Sequence, residues 1–470
     1  MSYGGVEGTV FDTGTTAFML VCIMLVLLMT PGLAFFYGGL ARKKNVVNTM
    51  FMSLIVLGVV GVVWVLAGHS LAYGGDGSIP FFGGFDLLGS TGAVSDMLAT
   101  AESTPDGLGL LHGFADGTVR LSTVDVDGEQ VQALISTVSG EVIEGGYPAL
   151  IDLAYQAAFA MITTAIITGS VAGRMKFGAV VTFVTIWVLL VYAPLAHMVW
   201  GGEGSLVGDM IGALDFAGGD VVHISSGLTG LILCLILGKR RGYGLLSYRP
   251  HNVPFVVLGA ALLWFGWFGF NGGSAFAADG IAALAIVNTL AASAAALLSW
   301  SAVEKLKTGK STLVGAATGL VAGLVAITPA AGFVEPWAAV IMGIIVSPIC
   351  YFAISYLKGK LGYDDALDAF GCHAVGGITG GILTGLLCVP ELSWTDFGGL
   401  FYTGDPSLLV AQILGILVTI VFVGIMALVI GLIVKVIFKG KLAVEQQAEN
   451  EGLDTAIHGE SAYPAFNGLD

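Results

Sequence analysis

Apolar residues run through this chain in long blocks, and the polar positions fall between them in short clusters. Blocks of membrane-spanning length lie at about 16–40, 47–73, 150–172, 178–200, 212–237, 254–275, 281–302, 312–331, 337–357, 367–389 and 408–438. They predict eleven helices, because backbone surrounded by lipid must satisfy its own hydrogen bonds. One connection breaks the rhythm. Residues 74–149 form an acidic loop far longer than ordinary connections. Inside it TVRLSTVDVDGEQVQALIST alternates around Asp127-Gly128, which predicts a β-hairpin.

Composition agrees with a polytopic membrane protein. Of 470 residues 56% are hydrophobic and 11% charged, where a soluble chain carries about twice that charge. Seventy glycines suit membrane helices that approach closely. Lys and Arg cluster at 42–44, 174–176, 239–249, 305–310, 358–360 and 435–441, after the odd-numbered spans. Those segments hold seventeen of the eighteen basic residues, with Arg120 left over. The positive-inside rule then places the N-terminus outside and the C-terminus in the cytoplasm. The first basic residue is Arg42, so no charged n-region marks a signal peptide. All five cysteines fall within predicted spans or at their edges, without disulfide or metal spacing. Nothing suggests an enzyme, a cofactor or nucleic-acid binding: there is no nucleophile–base constellation and no phosphate loop.

Two histidines carry the chemistry. Span five begins DFAGGDVVHISSG (215–227) and span ten DAFGCHAVGG (368–377). Each has an aspartate, then glycine, then one histidine, and the two spans run in opposite directions. Two inverted halves of five helices, with span eleven added, would bring His223 and His373 together at the repeat interface. Counted at a helical rise of about 1.5 Å per residue, His223 lies roughly 12 Å from Asp215 and His373 roughly 7–8 Å from Asp368. Two facing imidazoles can share one N–H without a formal charge, and a neutral, dry, hydrogen-bonding lumen suits a small polar molecule. Packing histidines and a metal site are the alternatives. Trp200, in HMVWGG at an outer helix end, offers a ring face to a small cation; alone it would read as an interfacial belt residue.

These residues resemble the ammonium transporter (Amt/Mep/Rh) family, and within it the bacterial and archaeal Amt branch. The resemblance runs from FFYGGLARKKN (35–45) through YQAAFAMIT (155–163), PLAHMVWGG (194–202), LDFAGGDVVHISSG (214–227), PHNVPFVVLGAALLWFGWFGFNGGS (250–274) and YDDALDAFGCHAVGG (363–377) to EGLDTAIHGESAY (451–463). It implies eleven helices, an inverted 5+5 repeat and a homotrimer with one pore per subunit. It also implies that Trp200, Phe159 and Ser274 form an outer site for ammonium or methylammonium, that Phe159 and Phe270 gate it, and that His223 and His373 line the pore and relay a proton. Asp215 resembles the acid that holds the outer site together. Asp364, Asp365 and Asp368 resemble caps at the cytoplasmic end of span ten. By the same resemblance, 1–441 is the transport domain and 442–470 a cytoplasmic regulatory tail. The tail's Gly452, Asp454, His458, Gly459, Glu460 and Tyr463 face neighbouring subunits and a PII-type signalling protein.

Three residues depart from the pattern. Asp220 stands where a small or hydroxyl residue is usual, one helical turn from His223, and would raise that histidine's pKa. His69 replaces a usual tyrosine, and Gly173 a usual glutamate. A sensor that signals through its tail and an Rh-like gas channel are the other readings. The aromatic cation site and the tail motif argue against the gas channel.

Overall fold

The computed structural model describes residues 13–75, 77–90, 119–126, 129–136, 142–143, 147, 149–245 and 248–463. Among them ten helices are long and apolar enough to cross a membrane: α1 Thr13–Leu40, α2 Lys43–Tyr73, α3 Leu150–Val171, α4 Phe177–Trp200, α5 Gly219–Leu237, α6 Val253–Gly273, α7 Gly280–Thr308, α9 Pro336–Leu361, α10 Phe370–Leu387 and α11 Ser407–Ile437. Between α7 and α9 lies a shorter apolar helix, α8 Leu313–Ile327. Every predicted apolar block therefore holds a helix.

Small residues set the approach of these helices. A Cβ at Gly259 of α6 would overlap the backbone of Phe36 in α1, and one at Gly39 would sit 2.6 Å from Val256 N. These are the first helices of the two halves. The outward faces carry aliphatic residues instead. On α11, Val410, Leu414, Leu417, Val421, Ile425, Leu428, Leu432 and Val436 are exposed at helical spacing, which presents one continuous face to lipid.

Two predicted blocks begin or end differently. Span five starts at Gly219 rather than near 212, and α8 stops at Ile327 rather than 331. Pro329 ends α8, since it lacks an N–H and disfavours helix at the residue before it. The two unwound stretches then satisfy each other: Phe216 N donates to Pro329 O at 3.2 Å and Ala217 N to Thr328 O at 3.2 Å. Non-helical backbone is tolerated at this depth only where protein buries it, and residues 213–225 and 327–334 are all buried.

The acidic loop holds a small sheet. β1 Val119–Val126 pairs antiparallel with β2 Glu129–Ser136, Val126 opposite Glu129, and β3 Val142–Ile143 adds to β2. The turn pair Asp127-Gly128 lies outside the described residues.

Past α11 the chain stays on the body. Val444 N donates to Arg174 O at 2.8 Å, and a short helix, α12 Gln446–Glu451, follows. Leu453 N then donates to Asn45 Oδ1 at 3.0 Å, while Asp454 Oδ1 accepts Asn48 N of α2 at 2.9 Å.

Candidate functional site

The vestibule is organised by Asp215. Its carboxylate accepts N–H groups from Gly218 (2.8 Å), Gly219 (2.5 Å), Asp220 (2.8 Å) and Val221 (3.3 Å). Those are the donors that the start of α5 leaves without intrahelical partners. Gly218 makes the wrap possible with φ 119°, a region open to glycine. The carbonyl of Asp215 accepts the Trp200 indole N–H at 2.8 Å. One residue thus closes a helix end and orients the tryptophan. The helical count from Asp215 to His223 does not apply, because α5 begins only at Gly219.

Trp200 and Phe159 meet edge to face, centroids 6.2 Å apart, and Phe159 stacks on Phe270 at 4.0 Å with 12° between planes. Ser274 Oγ donates to Phe270 O at 2.9 Å, which leaves its lone pairs for an incoming N–H. Tyr155, one turn before Phe159, donates to Phe270 O at 2.7 Å and lies 3.3 Å from Ser274 Oγ. The sequence reading passed over it, although the four-residue spacing in YQAAF puts both rings on one face. Trp200, Phe159, Tyr155, Ser274 and Asp215 line one cavity of about 590 Å³.

Below the Phe159–Phe270 stack lie the histidines. His223 Nδ1 and His373 Nδ1 are 3.3 Å apart. Each sits in a one-turn π segment, Gly219–Ile224 of α5 or Phe370–Ala374 of α10. Four residues on from each is a glycine at the crossing. A Cβ at Gly227 would lie 2.5 Å from Ala374 N, and one at Gly377 2.8 Å from Gly219 O. The imidazoles meet because those glycines let the backbones touch.

The surrounding hydrogen bonds assign the tautomers. Thr328 Oγ1 donates to Leu324 O at 2.8 Å and accepts Trp267 Nε1–H at 3.0 Å. Its hydroxyl proton is committed, so toward His223 Nε2, at 3.4 Å, it accepts. A neutral His223 then holds its proton on Nε2 and accepts at Nδ1 from His373 Nδ1–H. The cavity beside the pair is about 10 Å³, room for about one small molecule. Its wall is apolar: Met29, Leu33, Ile162, Ile166, Leu263 and Val321.

The three acids before α10 divide their tasks. Asp365 Oδ2 alone caps the helix, accepting Phe370 N at 2.8 Å. Asp364 pairs with Arg240 at 2.6 Å and with Arg174 at 3.7 Å, and Asp368 with Lys358 at 2.6 Å. Asp368 has φ 64° and precedes the helix, so the rise counted from it to His373 does not apply either. Burial pushes the Asp368 carboxyl up and outweighs the Lys358 charge.

In the tail, Gly452, with φ 117°, passes over Lys44, where a Cβ would sit 2.7 Å from Lys44 O. His458 packs between Phe51 (5.4 Å) and Phe177 (5.2 Å). Tyr463 Oη lies 3.0 Å from His251 Nε2 and 3.0 Å from Asn252 Nδ2. Gly459 turns the chain with φ 65°, and Glu460 N donates to Asp454 O at 3.2 Å.

Among the departures, Asp220 does not face the histidine. In the widened turn its carboxylate points to α11, beside Thr419 and Gly415, so the expected rise of the imidazole pKa has no basis. Gly173 takes φ 76° against Asn45, a conformation in which a glutamate would be strained. His69 is buried beside Asp152.

Residues 17–463 match the Ammonium Transporter Family. The chain is 44% identical to an ammonium transporter of Bacillus subtilis over 450 residues, covering 96% of this chain and 98% of the relative. It is 44% identical to one of Aquifex aeolicus over 453 residues, covering 96% and 94%. Among solved structures, Candida albicans Mep2 superposes with TM-score 0.77 at 29% identity over 97% of this chain and 93% of that one. Saccharomyces cerevisiae Mep2 gives 0.76 at 32% identity over 93% and 89%. Family, fold and apolar helices agree on a multi-pass membrane transporter of ammonium, and the chain belongs to the Ammonium Transporter Family.

Proposed function

We propose that this transporter recruits ammonium at Trp200, Phe159 and Ser274, removes its proton near the Phe159–Phe270 gate, and passes ammonia between His223 and His373. The observation that carries the reading is the continuity of the two sites. A ring-lined vestibule ends on two phenylalanines stacked at 4.0 Å, and directly beneath, His223 lies 6.2 Å from Phe270 and 5.3 Å from His373 between ring centroids. Ring faces attract a cation, but a hydrated ammonium does not fit a dry lumen of about 10 Å³. A neutral ammonia, donating and accepting at once, matches nitrogens arranged as donor and acceptor. The imidazole pair can hand the released proton on by exchanging tautomers.

In this reading all eleven helices cross the plasma membrane, the N-terminus outside and the C-terminus in the cytoplasm, following the basic clusters. Residues 1–441 form the transport domain, with the 74–149 loop outside, and 442–470 form the regulatory tail. The assembly is a homotrimer, and a PII-type protein reads the face where Asp454, His458 and Tyr463 dock. Gly452, Gly459 and Glu460 shape that face.

Reconstituted liposomes test this. An ammonium jump is expected to give current while potassium gives none. His223→Ala or His373→Ala is expected to abolish selective current or leave an unselective leak. Unchanged current and selectivity in both variants would remove the relay.

A further inference from the structure

Asp215 and the aromatic rings do not account for the whole vestibule. Three carboxylates line it: Asp152, Asp209 and Asp215. Asp215 is wrapped by four backbone N–H groups, and Asp209 accepts Gly204 N at 2.8 Å. Asp152 has neither arrangement. Among the described residues its polar neighbour at ion-pair distance is His69, whose Nε2 lies 3.6 Å from Asp152 Oδ2. That is too long for a hydrogen bond, and among the described residues neither ring nitrogen of His69 has a hydrogen-bond partner. His69 is 3% exposed and stands behind the carboxylate, among Trp64 at 6.2 Å and Tyr73 at 5.5 Å. One turn inward from Asp152 on α3, Gln156 also lines the cavity, 5% exposed, with an amide oxygen that has no partner among the described residues. Another turn inward is Phe159. Carboxylate, free amide oxygen and ring face follow one another at 152, 156 and 159 on a single helix face.

We infer that Asp152 is a further cation-contacting residue of the outer vestibule, with the free amide oxygen of Gln156 as the next contact inward. The inference deepens the proposed recruitment site and rests on that reading. Asp152 presents its carboxylate to a cation approaching Trp200, with His69 behind it. Tyr73 on α2 and Tyr147 before α3 line the same cavity as phenols. Asp209 and Asp215 line it too but are held by backbone donors.

The test is the concentration dependence of labelled methylammonium uptake into proteoliposomes for the native chain, Asp152→Asn, Asp152→Glu, Gln156→Leu and Trp200→Leu. Asp152→Asn is expected to raise the half-saturation concentration about fivefold, the order of one partly screened charge. Asp152→Glu restores it. Gln156→Leu raises it by a smaller factor. An Asp152→Asn half-saturation equal to native, or a loss confined to maximal velocity, overturns the inference. If Asp152→Asn does not reach the membrane, Gln156→Leu decides, and a native half-saturation there overturns it. Trp200→Leu separates the two readings. A raised half-saturation there with Asp152→Asn unaltered sinks this inference alone, whereas an unaltered Trp200→Leu sinks the aromatic site beneath it.

Discussion

The two histidine-bearing helices begin with the same ingredients and use them differently. At α5 a single carboxylate, Asp215, takes four backbone N–H groups and, among the described residues, pairs with no cationic side chain. At α10 one carboxylate, Asp365, takes one N–H, while its neighbours Asp364 and Asp368 pair with Arg240, Arg174 and Lys358. A helix start satisfied by amide dipoles keeps its acid without introducing a positive charge. In the proposed reading that suits a mouth that admits cations. A start whose neighbouring acids pair with arginine and lysine ties separate loops together, at the end where the basic clusters lie. In that reading the same motif serves recruitment at one end and anchoring at the other.

The comparison can be broken in order of expected size. Asp215→Ala removes the acceptor of four N–H groups at once. At about 1–3 kcal/mol for each buried donor left unsatisfied, it is expected to abolish folded, detergent-stable protein. Asp215→Asn keeps one acceptor oxygen and should retain part of it. Full thermal stability of the alanine variant by size-exclusion after heating would show that the wrap contributes little.

Asp364→Asn comes next. Breaking a buried ion pair costs about 3–5 kcal/mol, so its melting temperature should fall clearly while the transport half-saturation stays native. Burial alone would raise the Asp364 carboxyl, but the Arg240 hydrogen bonds and the Arg174 and Arg240 charges outweigh it and hold it below the usual range. A depressed carboxylate stabilises above its unfolded pKa, near 4, and that stability is lost as pH falls through the folded value. The native chain should therefore lose more stability than Asp364→Asn on acidification below about pH 4. Equal losses would put the acid sensitivity elsewhere.

Thr328→Val is the smallest and sharpens the asymmetry between the histidines. It removes the acceptor that keeps the proton on His223 Nε2, so the tautomer pair can invert. Each neutral hydrogen bond lost is worth about 0.5–1.5 kcal/mol, the Trp267 indole N–H loses its acceptor in the same variant, and a several-fold drop in current with selectivity kept is expected. A native current would mean that His223 is oriented by the ring of Trp267 alone.

Much of this architecture was legible before any coordinates. Apolar length located each helix, and the opposed motifs around His223 and His373 placed the two imidazoles together. The helix starts were not legible. Residues 212–218 are as apolar as the first turns of the span they precede, and nothing in a hydropathy pattern announces that Asp215 folds back on its own amides. The π turns escaped as well. Asp220 looked one turn from His223 because an α-helical period was assumed, and the widened turn carries it to α11. Tyr155 was hidden behind the more familiar Phe159. His69 stood out as a departure, but its partner Asp152, 83 positions away in the chain, needed the fold to find it.

The second helix carries a debt to the far end of the gene. Its own Asn45 accepts Leu453 N, and Asp454, 406 positions downstream of Asn48, supplies the oxygen at its first turn. Until residues 453–454 are made, the Asn45 amide oxygen and the Asn48 N–H lack these partners, so the first turn of the second helix reaches its final hydrogen bonding only when nearly the whole chain is present.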